Sequence, residues 1–428
     1  MRRIKHRLLD SPLVQEAIAG LVAGYLRLVW RTGNWRWIGR EHGDRLAAEA
    51  RMAVLCFWHG RMLLLTDCAI QAWVARGAGL DFARVSISHI DNTFVYPGNG
   101  DYHGLLVEQD ITREVLDLQA EVPRWLDTAQ AAAESGEQPV VRPGKRCVTP
   151  YECAFMAHCW PGDTAYPVQF LGGDRERLGA LLAAGYRDLR DVPADKLTRA
   201  DHQRIQAVTQ SGRPLLDAEA RDFARALGWP RYFLDFETMG AAVPLFPGTR
   251  PYEAIPFQFS CLMEQPDGHM EKLGFLDLGG TNPARGCAEA LLAALGREGP
   301  ILVYTGYEQR VIGGLMARFP DLEPALHELA RRLVDLHPIT HRHFYHPDLL
   351  GSWSLKKLLP VVAPDLSYAS GEIQDGNAAS RAYLEAQSPD TGPERRAALA
   401  TDLTRYCALD TEGLRRLVHY LSAGLESV

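Results

Sequence analysis

The sequence lacks any apolar run long and charge-free enough to cross a bilayer as a helix. The nearest stretch, "AIAGLVAGYLRLVW", is interrupted by Arg27 and is followed by no small-residue cleavage site. Neither an anchor nor an export leader is expected, so the default location is cytoplasmic. Cysteine is sparse, eight in 428 residues, which excludes a secreted disulfide framework. There is no excess of basic charge: 46 Lys and Arg stand against 53 Asp and Glu, a net charge of -7. That excludes a general basic coat for nucleic acid, though not a local basic groove. Part of the acidity could be a metal-binding centre whose charge is cancelled on loading. Internal repeats and low-complexity tracts are also missing. What is present, 46% apolar and 23% charged residues, describes a soluble globular chain long enough for two or three domains.

Four segments differ in texture. Residues 1–65 begin with Arg2, Arg3, Lys5, Arg7, Arg27, Arg31, Arg36 and Arg40, and Leu13, Ile18, Leu21, Tyr25 and Leu28 recur at helical spacing. This is a basic amphipathic helix, expected to pack on the protein, with weak contact to a membrane surface as the alternative. Residues 66–185 hold helices that close at glycine, a strand in "ARVSISHIDNTFVYPG", and a cysteine segment. Residues 186–230, with "RDLRDVPADKLTRADHQR", have the alternating charge of a solvated helical linker. Residues 231–428 form an α/β domain. Its order is a strand "YFLDFE", a hairpin of "IPFQFSCLME" and "EKLGFLDL" about "QPDG", a helix near Ala284–Leu295, a strand "PILVYTG", and helices to the end. That order matches a ribonuclease H-like fold.

The stretch "YFLDFETMG" places two carboxylates in an apolar strand. Side chains alternate, so Asp235 and Glu237 share one face and Leu234 and Phe236 the other. Buried carboxylates need compensation. Glu308, in "VYTGYEQRVIGGL", stands where a strand hands over to a helix, and Tyr406 and Asp410 lie on one face of the final helix. Clustered oxygen ligands of this kind suit magnesium or manganese, and two such ions can cleave a phosphodiester.

These residues resemble the DnaQ-like exonucleases with the DEDD carboxylate set, in their tyrosine-bearing branch. The resemblance implies that Asp235 bridges two metals and that Glu237 and Asp410 hold the one activating water. By the same resemblance Glu308 would stand in a position usually filled by aspartate, and Tyr406 would orient the attacking water. The implied reaction is 3′–5′ exonuclease cleavage of single-stranded DNA or RNA. "FLDFETMGAAVPLFPGTRPYEAIPFQFS", "GSWSLKKLLP" and "RYCALDTEG" resemble the bacterial family of domain of unknown function 2779, from about Thr66 to the C-terminus. Arg250, Tyr252 and Gln258, which follow the acidic strand, are candidates to line the substrate mouth. Lys356 and Lys357 are candidates for phosphate contact.

"RCVTPYECAFMAHCW" carries Cys147, Cys153 and Cys159, a spacing suited to a soft metal centre. It resembles the cysteine triplet of RecB-like nucleases, which implies a [4Fe–4S] cluster that needs a fourth cysteine upstream. Cys56 and Cys68 are the upstream candidates, and neither has the right surroundings. The acidic strands of such a nuclease are missing too, so this module is read as incomplete and inactive. Cys261, Cys287 and Cys407 sit in apolar contexts and are read as core residues. "YLRLVWRTGNWRWIGREH" and "FWHGRMLL" resemble the start of domain of unknown function 374, related to lysophospholipid acyltransferases, with His59 near that family's active-site histidine. The rest of that domain does not follow. "HPITHRHFYH" (His337, His341, His343, His346) is read as a polar loop, because no acidic or thiol ligand completes a zinc set. Two rivals accompany the exonuclease reading: a strand-binding protein with weak turnover, and a membrane-associated acyltransferase.

Overall fold

The computed structural model describes residues 64–80, 82–149, 152–367 and 371–424. The basic N-terminal helix, the acyltransferase-like leader, His59 and Cys56 lie outside the described residues. No described helix is long and apolar enough to cross a membrane.

The first elements are α1 (Leu64–Gly77), β1 (Ser86–Ile90), β2 (Leu106–Asp110), α2 (Thr112–Asp117) and α3 (Val122–Glu134). β1 and β2 form a two-stranded antiparallel sheet. Their buried core is Ala72, Val85, Ile111 and Val115, and β2 is exposed along its length. A two-stranded sheet is marginal by itself. Here the loop between its strands is clasped by the loop at residues 240–254. Tyr96 and Tyr102 stack at 4.6 Å. The Tyr96 N–H donates to Thr249 O at 2.9 Å, and the Gly248 N–H donates to Tyr96 O at 2.7 Å. The Tyr102 hydroxyl donates to Pro244 O at 3.0 Å.

The chain continues through α4 (Met156–Cys159), α5 (Arg175–Ala183), α6 (Ala200–Ser211), β3 (Leu215–Leu216) and α7 (Ala218–Ala226). The charge pattern of residues 186–230 predicted a solvated linker, and the structure corrects this. Leu189, Leu197, Ile205, Ala220 and Leu227 are buried in one core with Phe233, Leu262, Leu414 and Leu417. Most of the charges point outward, with Asp188 buried against Arg190 as an exception, while apolar residues spaced between them turn inward. The segment is packed structure shared between the two halves of the chain.

The C-terminal part contains β4 (Arg231–Met239), β5 (Ile255–Glu264), β6 (Met270–Leu276), α8 (Ala284–Ala294), β7 (Ile301–Val303) and α9 (Tyr307–Arg318). It continues with α10 (Glu323–Ala330), β8 (Leu333–Asp335), α11 (His337–His343), β9 (Phe344–Tyr345), α12 (Leu355–Val362), α13 (Gly376–Gln387) and α14 (Pro393–Ala423). Five strands make a mixed sheet in the order β6-β5-β4-β7-β8. β4–β5 and β5–β6 are antiparallel, and β4–β7 and β7–β8 are parallel. The expected hairpin joins β5 to β6, and Gly268 supplies the positive φ (85°) its turn requires. β9 pairs with β3, tying the first half to this part again.

Alternation along β4 separates two cores. Phe233 joins the core described above, whereas Tyr232, Leu234 and Phe236 join a second one with Leu291, Ile312 and Tyr383. α14 belongs to both: Leu399 and Leu403 pack in the second, Leu414, Leu417 and Leu421 in the first. Each such buried side chain contributes about 1.5–3 kcal/mol. The stretch Tyr406–Asp410 lies between these two sets of anchors, so its position is held from both ends.

Candidate metal centre

Because β4, β7 and β8 run parallel, their carboxyl ends open on one edge of the sheet, where α/β folds place their sites. Asp235 and Glu237 reach that edge on β4, Glu308 stands in the first turn of α9 just after β7, and Asp335 ends β8. The β4–β5 register shifts between Glu237 and Thr238, a bulge that ends regular pairing beside the site. α14 packs on β4 and β5 and brings up Tyr406 and Asp410.

Glu237 and Glu308 are buried, at 6% and 3% exposure, and Glu308 Oε2 has no hydrogen-bond partner. Asp235 is partly buried. Burial raises the Asp235 carboxyl well above its ordinary value, and the charges of Asp410, Glu237 and Glu308 raise it further. Glu237 is pushed up to about 8, by burial first and then by Asp410, while Lys356 opposes the shift. Glu308 is also pushed up to about 8 by burial; a hydrogen bond with its own backbone opposes this, and Asp335 and Asp410 add to it. The Tyr406 phenol is raised by burial and then by Asp410, Glu237 and Asp235. The charge of Lys356 therefore acts against that of Glu237, and the Lys356 ammonium donates to Gln374 O at 2.7 Å. One lysine does not balance this many carboxylates. Buried oxygens that oppose one another, one of them orphaned, are a donor set that fits hard divalent cations.

Three features of this edge were not read from the sequence as part of the site. Cys407, expected in an apolar core, is fully buried against Asp235, with Sγ 3.6 Å from the Asp235 carbonyl and 3.5 Å from its Oδ2. Asp235, Glu237 and Cys407 present ligand atoms all within 4.8 Å of one another. Asp335 accepts from the Thr305 and His337 N–H groups, each at 2.8 Å, and its charge acts on Glu308. Thr305, at the β7–α9 junction, has φ 72°, a strained conformation for a β-branched residue. The sequence cue for Asp335 was its place at the end of an apolar run before a helix.

The predicted substrate residues separate. Arg250 and Tyr252 lie exposed in the loop after β4, Tyr252 with φ 60° and its N–H donating to Ala241 O at 2.8 Å. Gln258 does not line a mouth: it is buried at 2% exposure and its Nε2 donates to Leu403 O at 3.0 Å, tethering α14 to β5. The reason is register, since Gln258 pairs with Glu237 in the middle of the sheet. Lys356 and Lys357 are exposed at the start of α12, and the charge of Lys356 acts on Glu237.

The cysteine segment folds against the first core. Cys147 is buried there and Cys159 packs on it, while the Gly144 N–H donates to Cys147 Sγ at 3.5 Å. Cys68 packs in the separate small core beside Ala72. Cys153 is partly buried, and Cys56, the other upstream candidate, lies outside the described residues. The four histidines of "HPITHRHFYH" spread out as well. His341 packs at 4.3 Å from Trp353, His346 Nδ1 accepts from the Asp348 N–H, and His343 Nδ1 lies 3.3 Å from Asp217 Oδ2 with Glu219 nearby.

Residues 232–354 match the family model described as domain of unknown function (DUF2779). The matched stretch runs from β4 to the residue before α12, so Asp235, Glu237, Glu308 and Asp335 fall inside it, and Lys356, Tyr406 and Asp410 fall beyond. The match is shorter than the expected span from about Thr66 to the C-terminus. The comparisons give no support to the acyltransferase-like reading of residues 1–65. No curated protein and no solved structure matches the chain.

Proposed function

We propose that the DUF2779 domain, completed by α13 and α14, is a ribonuclease H-like nuclease of the DnaQ type that removes nucleotides from the 3′ end of single-stranded DNA or RNA. The observation that carries this reading is the convergence of Asp235, Glu237, Glu308 and Asp410 at one sheet edge, two of them buried and all of them partly shielded, with charges that oppose one another. The order β6-β5-β4-β7-β8, with three antiparallel strands followed by two parallel ones, supports the fold assignment. Two magnesium or manganese ions would supply Lewis-acid stabilisation and a water activated at neutral pH. Asp235, Glu237, Asp410 and Glu308 are the residues that would hold them, Asp235 being the one on which the other three charges act. Tyr406, between the two sets of anchors on α14, orients the attacking water with its un-ionised hydroxyl. Lys356 meets the scissile phosphate beside Glu237, and exposed Arg250 and Tyr252 meet the strand near the cleavage point. The hydrogen bonds between the β1–β2 loop and residues 244–249 steady that loop while a strand is bound.

The test is manganese-dependent digestion of 5′-labelled and 3′-labelled single strands of DNA and of RNA. Release of mononucleotides from the 3′ label, abolished by Asp235→Asn, is the expected result. Wild-type protein that binds the strand with steep salt dependence but never cleaves it would overturn the reading.

A further inference from the structure

We propose that Asp235, Glu237 and Cys407 form a second coordination mode at this edge, selective for a thiophilic divalent cation of the zinc class, which competes with magnesium or manganese for the same carboxylates. Cys407 follows Tyr406 and precedes Asp410 by three residues, so the helix that brings Asp410 to the sheet also presents a thiol on the same side. The side chain is fully buried, and its Sγ stands 3.5 Å from Asp235 Oδ2. Cation–sulfur and cation–oxygen bonds of about 2.3 and about 2.0–2.2 Å at a tetrahedral zinc put sulfur and oxygen about 3.6 Å apart. The observed separation therefore already matches the edge of such a site. All three ligand atoms lie within 4.8 Å of one another. An independent feature points the same way: Glu308, whose charge also acts on Asp235, is buried at 3% exposure and its Oε2 has no partner.

Hard cations gain little from a thiol, whereas soft ones prefer it. On coordination the Sγ–H bond breaks, its proton passes to solvent, and the sulfur lone pair forms the bond to the cation. The hydrogen bond from Cys407 to Asp235 is lost, and the Asp235 oxygen that accepted it becomes a ligand. The binding claim stands on ligand geometry alone. Its consequence, that zinc inhibits strand cleavage, rests on the nuclease reading.

Cobalt(II) titration of the full chain, followed by the thiolate-to-cobalt charge-transfer band, separates the two. The band should lose one thiolate's intensity in Cys407→Ser and in Asp235→Asn. It should persist when Cys147, Cys153 and Cys159 are all changed to serine. Full intensity in Cys407→Ser, or loss of the Asp235-sensitive band in the triple variant, would overturn the site. If Cys407→Ser fails to fold, as checked by circular dichroism, Glu237→Gln and the triple variant carry the same decision. In the cleavage assay, the zinc concentration that halves manganese-dependent activity should rise on the order of 10-fold or more in Cys407→Ser. Unchanged zinc sensitivity in that variant would sink the proposal. Wild-type protein that shows no cleavage but keeps the Cys407-dependent band would refute the nuclease reading and leave the zinc site standing.

Discussion

At the scale of single residues, Glu237 and Glu308 couple stability to pH and to metal. Both carboxyls are raised from 4.5 to about 8 by burial. A carboxyl whose folded pKa lies above its unfolded one binds more protons when folded, so its stabilising contribution is full below about 4.5 and is lost as pH rises to about 8. Metal-free protein should therefore melt at falling temperature across that window in calorimetry. Added manganese should raise the melting temperature, and by more at about pH 8 than at about pH 5.5, because the ion replaces protons there. Glu308→Gln removes one buried charge. It should raise the metal-free melting temperature at about pH 8 by on the order of a few degrees, while lowering manganese affinity about 10–100-fold. The carboxylates were legible because acidic residues in an apolar strand stand out. Cys407 was not, because a cysteine among Tyr406 and Ala408 has the local look of a core residue, and only the crossing of α14 over β4 sets it against Asp235.

At the scale of elements, β4, the β5–β6 hairpin and α14 were readable from alternation, turn chemistry and helical period. β8 and β9 were not, since strands of three and two residues carry too little pattern to be seen. That is why Asp335 was missed. Gln258 shows the same limit from the other side. Its neighbourhood in sequence suggested a substrate contact, but its register beside Glu237 turns the amide toward α14. Gln258→Leu should cost about 1 kcal/mol in denaturant unfolding, without changing the salt dependence of strand binding. A changed salt slope would return Gln258 to the strand path. Two glycines give opposite expectations. Gly313 has open space around its missing side chain in the middle of α9, so Gly313→Ala should stabilise by about 0.5–1 kcal/mol. Gly351 has φ 76°, and a Cβ there would lie 1.6 Å from the Phe170 carbonyl oxygen, so Gly351→Ala should destabilise by about 2–3 kcal/mol.

At the scale of the whole molecule, the region that looked like a linker is part of the core. Leu197, Ile205 and Leu227 cover the same apolar surface that Phe233, Leu414 and Leu417 present from the C-terminal part. A fragment beginning at Arg231 would expose that surface, at about 1.5–3 kcal/mol for each side chain uncovered. Such a fragment should aggregate or lose cooperative unfolding, whereas one beginning near Pro143 should unfold as a single transition. Cooperative folding of the shorter fragment would show that residues 186–230 are dispensable after all.

By itself the sequence determined the alternation that sends Asp235 and Glu237 to one face of β4, the hairpin after it, and the helical spacing of Tyr406 and Asp410. These are local properties, set by periods of two and 3.6 residues and by turn chemistry. Only the tertiary structure decided which distant residues meet: Glu308 and Asp335 through the parallel pairing of β4, β7 and β8, Cys407 through the path of α14, and the packed connector through its burial. Contacts of that kind depend on strand order and on how faces pack, and neither is written in any single stretch of the chain.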